Sequence, residues 1–289
     1  VLPALILPAL LAAQAPPPPP AVTTPAAPAV DPAVAELNQR IKALEAEQNW
    51  AEVIRTIEAL GPEERDARLK AWTWALSNTG QHARVLAILD DPAHRERAKV
   101  DPLPQFKARA LVALGRPKEG MAVFLGACKR GSVFAGIEGS NLAIEQGDWN
   151  AVLEFSDTIL GLKPGDIVYL AKKGQALANL QRFAEGVPTL EEAVRRAPVL
   201  GESWADLACC YNGLGRFAEA HAAASRSLAL HPGTLAALFN RGRASMGLRH
   251  FKEAREDYQA VLALNPGNPA LVAYLQKEIK LADDSLGRP

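Results

Sequence analysis

Four prolines, Pro164, Pro198, Pro232 and Pro266, stand 34 residues apart, and each closes a segment of the same design. A second recurrence runs in step with them. The stretches QNWAEVI, GQHARVL, GRPKEGM, GDWNAVL, QRFAEGV, GRFAEAH and RHFKEAR begin at residues 48, 80, 115, 147, 181, 215 and 249. Each reads as a tight turn, usually an aromatic, then the start of another helix. Ahead of the first, Asp31-Pro32 suits a helix start, since Asp caps and proline fits the first turn. Leu37, Ile41 and Leu44 then follow at helical spacing. Convincing strand alternation is absent. A two-helix unit of this length has too little core to stand alone, so each must bury its face against its neighbours.

The recurrent slots have identifiable chemistry. In 201–234, Trp204, Leu207 and Tyr211 occupy one face of a first helix, with Ala208 small between them. Gly215 and Phe217 make the turn, Ala220 follows, and Pro232 closes. In 235–268 the same slots hold Leu238, Gly242, Phe251, Ala254, Tyr258 and Pro266; in 167–200 they hold Leu170, Gly174, Leu177, Phe183, Leu190, Ala193 and Pro198. The unit 133–166 keeps Gly147, Trp149, Ile159 and Pro164. On these residues the chain resembles the tetratricopeptide repeat family. The resemblance implies an all-α, right-handed α-solenoid of about seven helix–turn–helix repeats. Three degenerate hairpins are expected over 33–130, and four repeats at 133–166, 167–200, 201–234 and 235–268. DPLPQ at 101–105 interrupts the early array and predicts a bend there. Leu271, Leu275, Ile279 and Ala282 form one stripe, so 269–284 reads as a capping helix over the last hairpin.

The N-terminal end has a different texture. No charged residue precedes Asp31, and the apolar run Val1–Ala15 ends in Ala13-Gln14-Ala15. That is the pattern of a signal peptide, although no basic residue precedes the run. An Ala/Pro-rich tail on a cytoplasmic protein is the alternative. At this length, with Pro3 and Pro8 inside it, the run is too short for a transmembrane span. Eight prolines among residues 16–32 predict an extended polyproline spacer, or less specifically a ligand for a proline-recognition domain. The export-like start and the Ala/Pro/Arg-rich composition point to a bacterial protein of the periplasm or cell envelope. Lys plus Arg equals Asp plus Glu at 32 each, so no global charge draws the chain to nucleic acid.

Motifs for catalysis are scarce. There is no H-E-x-x-H, no G-x-x-x-x-G-K-[ST] and no G-x-S-x-G, so no catalytic residue and no cofactor is assigned. Gly213-Leu214-Gly215-Arg216-Phe217-Ala218 formally matches a dinucleotide fingerprint, but a helix precedes it where a strand is required. Three cysteines without C-x-x-C spacing argue against a disulfide framework or zinc site. The linear spacing of His82, His94, His221, His231 and His250 suits no metal site. A remote reading is a thiol enzyme using Cys209, which has no base or cation beside it in sequence. Its neighbour Cys210 falls beside the packed face, as a space-filler.

Binding is the more productive reading. In repeats of this family, partners often lie as extended peptides or helices in the concave groove lined by the first helices. Counting helical turns from the packing slots, that face carries Glu138, Asn141 and Glu145, then Lys172, Gln175 and Asn179. It continues with Glu202, Asp206, Cys209 and Asn212, then Phe239, Asn240, Arg243 and Met246. Asn and Gln grip a peptide backbone through donor and acceptor alike. Acids outnumber bases, which favours a neutral or mildly basic segment. A Lys/Asn/Arg set that clamps a C-terminal carboxylate in some relatives is not present. The same positions read equally well as merely solvated. The expected function is a non-catalytic scaffold for a protein or peptide partner, with self-association through the irregular first units as a structural alternative.

Overall fold

The computed structural model describes residues 31–264 and 267–287. The apolar run at 1–15, most of the proline-rich stretch and Pro266 therefore lie outside the described residues. Among the described residues all regular secondary structure is helical. It forms seven hairpins: α1 (Pro32–Ala46) with α2 (Trp50–Glu58), α4 (Leu69–Asn78) with α5 (His82–Asp90), α6 (Leu103–Ala113) with α7 (Pro117–Lys129), α8 (Val133–Glu145) with α9 (Trp149–Leu162), α10 (Ile167–Asn179) with α11 (Phe183–Arg196), α12 (Gly201–Gly213) with α13 (Phe217–Leu230) and α14 (Leu235–Gly247) with α15 (Phe251–Leu264). A short α3 (Pro62–Ala67) precedes α4, and α16 (Pro269–Leu286) follows the last hairpin. The architecture is an all-α solenoid. From α8 onward the 34-residue period is kept to the residue, with every first helix 13 residues long and every second helix 14.

Capping explains several helix starts. The Asp31 carboxylate accepts from the Ala33 backbone N–H at 2.9 Å, and Pro32 takes the first position of α1. Asp148, Asp166 and Asn268 cap α9, α10 and α16 in the same way. In place of a regular repeat junction, two 3₁₀ turns at Pro92–His94 and Arg97–Lys99 lead into α6, which begins inside the DPLPQ segment.

The seven turns share one geometry. The first residue of every signature is left-handed: Gln48, Gly80, Gly115, Gly147, Gln181, Gly215 and Arg249, with φ between 55° and 76°. The next backbone N–H reaches back five residues, as Arg216 N does to Tyr211 O at 2.9 Å. This is the Schellman helix ending, which glycine favours because it lacks a Cβ. Gln181 and Arg249 carry a side chain there at a cost of about 1–2 kcal/mol. Gln181→Gly is therefore expected to raise stability, by about 1 kcal/mol once glycine's greater freedom in the unfolded chain is subtracted. Gly215→Ala is expected to lower it by a similar amount, and urea denaturation of both variants checks the pair.

The core runs as successive patches along the array. Leu76, Val85 and Leu111 belong to the first, and Phe124, Phe155 and Ile159 to the second. Leu190, Leu207 and Cys210 belong to the third, and Leu238, Tyr258 and Leu275 to the last. Small residues set the close approaches. A Cβ on Gly174 would run into the Leu190 side chain, and one on Gly186 would stand 2.7 Å from the Cys210 sulfur. α16 lies on α15, with Leu275 and Ala282 fully buried and Leu271 and Ile279 partly covered.

Candidate functional site

The first helices α10, α12 and α14 pack side by side, and α8 precedes them in the same position of its hairpin. Their shared face carries two open depressions. One, of about 370 Å³, lies between α6 and α8 and is lined by Arg109, Val112, Glu138, Asn141, Leu142 and Glu145. The other, of about 390 Å³, runs from Ile144 across α10 to α12, over Val168, Lys172, Gln175, Leu200, Glu202 and Asp206. Seven of the sequence-predicted groove residues thus fall into two neighbouring depressions, each with an apolar floor and a charged rim.

The charged residues differ in how far they are committed. Glu138 accepts from Arg109 Nε at 2.7 Å. Lys172 Nζ donates to Ser140 Oγ at 2.9 Å and Asn141 Oδ1 at 2.8 Å and lies 5.3 Å over the Tyr169 ring; burial pulls its pKa down. It works as a clasp between α8 and α10. Glu145, Glu202, Asp206 and Arg243 make no ion pair among the described residues. Asp206 is the outlier. Burial, assisted by the charge of Glu202, pushes its carboxyl up to about 7.

Two predicted residues do not belong to the open face. Asn212 and Asn240 are buried, and each donates across the α12–α14 interface: Asn212 Nδ2 to Asn240 O at 2.8 Å, Asn240 Nδ2 to Ala205 O at 3.2 Å. The close approach of α12 and α14, set by small residues such as Ala205, Ala237 and Ala244, converts a groove position into a helix–helix tie. Asn179 is exposed but turns its amide onto Gln175 O at 2.9 Å. Phe239 is half-buried, 5.8 Å from the Tyr274 ring of α16 and 6.2 Å from that of Tyr258. Its ring therefore extends the face toward α16, and Tyr274 joins the surface as a residue the repeat slots gave no reason to expect. Met246 is half-buried and packs against the last core patch.

The vicinal cysteines separate as helical geometry requires. Cys210 is fully buried against Gly186, and burial raises its thiol to about 12. Cys209 is half-buried on the groove side, with its pKa also raised by burial and by Asp206. A nucleophilic thiol needs the opposite shift, so the site offers no activated cysteine.

Comparison with known proteins comes down to the repeat itself. The family model described as "Tetratricopeptide repeat" matches residues 235–268, the hairpin of α14 and α15. The chain is 28% identical over 101 residues to an Hsp70-Hsp90 organizing protein of Triticum aestivum, covering 35% of this chain and 17% of that protein. With Hsp70-Hsp90 organizing protein 2 of Arabidopsis thaliana the identity is 27% over 101 residues, covering 35% and 18%. The chain thus spans under a fifth of the length of these curated relatives. Among solved structures, MamA from Desulfovibrio magneticus RS-1 aligns with a TM-score of 0.49 at 18% identity, covering 58% of this chain and 96% of that one. YrrB, described as a TPR protein with an unusual peptide-binding site, aligns with a TM-score of 0.49 at 16% identity, covering 64% and 96%. The hairpin of α14 and α15 is thus a tetratricopeptide repeat, and the same 34-residue hairpin with its left-handed turn recurs ahead of it from α8 onward.

Proposed function

We propose that this protein is a non-catalytic scaffold that holds an extended or helical peptide segment of a partner along the face of α8, α10, α12 and α14. The observation that carries this reading is the pair of adjoining depressions on one continuous face, whose rims include Glu145, Glu202 and Asp206, acids without an ion-pair partner among the described residues. Glu145, Glu202 and Asp206 set three uncommitted acids against Arg243, and Lys172 is already engaged. The complementary segment is neutral to basic with apolar side chains at intervals. The export-like residues at 1–15 support a place in the bacterial cell envelope, where such a scaffold would serve assembly of a larger complex. No helix among the described residues is long and apolar enough to cross a membrane. The test is selection of binders from a random peptide library by the wild type and by a Lys172→Ala/Asp206→Ala/Arg243→Ala variant. The proposal expects selected sequences rich in Lys or Arg that lose affinity for the variant; equal affinity sinks it.

Asp206 makes this binding depend on pH. Its folded pKa of about 7 lies above the unfolded value of 3.8, so the folded state favours the protonated acid. The stability this contributes is complete below about pH 4 and is lost as pH rises through about 7. The groups facing it are Glu202 and Cys209 on its own helix and Lys172 across the depression, with Arg243 of α14 acting on Cys209 beside it. Asp206→Asn is expected to stabilise the protein at pH 8 by on the order of 1–3 kcal/mol, and by nothing at pH 4. Binding runs the other way. Affinity for a selected basic peptide should climb between pH 6 and 8 in the wild type, following the roughly neutral pKa, and stay flat in Asp206→Asn. Urea denaturation and fluorescence anisotropy at the three pH values check both halves.

A further inference from the structure

Away from the pocket-bearing face, the junction of the last two repeats brings together three side chains that are far apart in sequence. His221 of α13 lies with Nε2 3.0 and 2.9 Å from the two carboxylate oxygens of Glu253 on α15. His250, in the turn before α15, has its Nδ1 3.9 Å from Glu253 Oε2. The two imidazoles stand edge to face with centroids 6.2 Å apart, and one ligand atom from each of the three residues lies within 4.8 Å of the others.

The repeat shows what is unusual here. At the turns that open α7, α11 and α13, an arginine pairs with the glutamate three residues on: Arg116–Glu119, Arg182–Glu185 and Arg216–Glu219, at 2.6–2.7 Å. In the last repeat the glutamate slot is Glu253 and the arginine slot is His250. A fixed cation is thus replaced by a group able to coordinate one, and the preceding repeat supplies a second imidazole to the same carboxylate. Ser245, fully buried, holds that carboxylate from the inner side with its Oγ 3.1 Å from Glu253 Oε2. The His250 backbone is pinned as well: its N–H donates to Ser245 O at 2.8 Å and its carbonyl accepts from Ala254 N at 3.1 Å.

We propose that His221, His250 and Glu253 form a binding site for a divalent transition-metal ion of the zinc class, bridging the sixth and seventh repeats. Two imidazoles and one carboxylate are the donors that zinc and its neighbours in the first transition row accept, with a fourth position left to water or another ligand. Bonds of the usual length put ligand atoms about 3.3 Å apart around a tetrahedral zinc, so the observed 2.9 and 3.9 Å need only side-chain adjustment. Among the described residues Arg241 is the one fixed cation within 4 Å of that carboxylate, 3.7 Å from Glu253 Oε1, and it is held toward Asp257 by two shorter hydrogen bonds. Occupancy would tie α13 to the start of α15 and stiffen the end of the array.

The untagged full chain, stripped with chelator and dialysed, is titrated with Zn²⁺ by calorimetry and with Co²⁺ by visible absorption. One equivalent of Zn²⁺ per chain is expected, with the intense ligand-field bands of low-coordinate cobalt. His250→Ala is the primary variant, because that side chain is 58% exposed and its loss spares the fold. It should weaken Zn²⁺ by at least about tenfold and abolish the cobalt bands, as should Glu253→Gln, while His231→Ala leaves both unchanged. Circular dichroism confirms that each variant is folded, and Zn²⁺ should raise the melting temperature of the wild type but not of His250→Ala. The proposal is overturned by the absence of saturable binding in the wild type. Equal affinity in His250→Ala, or cobalt bands that survive Glu253→Gln, overturn it as well.

Discussion

Replacing Tyr258 by alanine is expected to cost about 3–5 kcal/mol, the range for deleting a fully buried aromatic side chain. Tyr258 is 0% exposed on α15 and touches elements on both sides. Toward α14 it fills the space left by Gly242, where a Cβ would stand 2.8 Å from the ring. It shares its core patch with Leu238 and Val261, and Leu275 of α16 closes the patch. Burial raises its hydroxyl pKa, so the group stays neutral at any working pH. In a repeat array each unit is stabilised by its nearest neighbours, so the damage should stay at one end. Hydrogen exchange in Tyr258→Ala should accelerate through α14–α16 and leave α8–α11 protected; uniform acceleration would show that the array unfolds as a single cooperative unit. Gly242→Ala makes the same point from the facing side. Helix propensity alone favours alanine by about 1 kcal/mol, and the ring contact should reverse that sign.

Arg241→Leu is expected to cost about 3–5 kcal/mol, because it strands a buried carboxylate. Asp257 is 3% exposed and accepts two hydrogen bonds from the Arg241 guanidinium, at 2.8 and 2.6 Å, across the last hairpin. The hydrogen bonds that Arg241 donates to Asp257 outweigh burial and raise the guanidinium pKa. Arg241→Lys should recover only part of the loss, since an ammonium cannot reproduce the two-pronged contact. The double variant Arg241→Leu/Asp257→Leu should be markedly more stable than Arg241→Leu alone, because both charges leave the interior together. A urea double-mutant cycle measures the difference; a double variant as unstable as the sum of the two single ones would mean that the pair is not coupled.

Much of this fold can be read in the sequence because its helices are short, equal and periodic. The turn signatures at 147, 181, 215 and 249 mark turns whose backbone is left-handed in every case, including the two that lack glycine. The early hairpins are harder to place, since α3 and the 3₁₀ turns before α6 follow local capping and proline chemistry outside the period. Counting about 100° per residue located the face bearing Glu145, Glu202, Asp206 and Arg243. It could not tell how close the next helix comes, and there Asn212 and Asn240 were misassigned: the small residues of α12 and α14 bring the backbones near enough for their amides to bridge. The same blindness hid the cluster of His221, His250 and Glu253. His221 and Glu253 lie 32 residues apart, almost one period, so only the stacking of one repeat on the next makes them neighbours.

The central claim is that the first helices form the partner-binding face. Hydrogen–deuterium exchange of the full chain, with and without a library-selected basic peptide at saturating concentration, tests it most directly. Slowed exchange along α10, α12 and α14, with the second helices α11, α13 and α15 unchanged, is the predicted result. Protection confined to the second helices would contradict it.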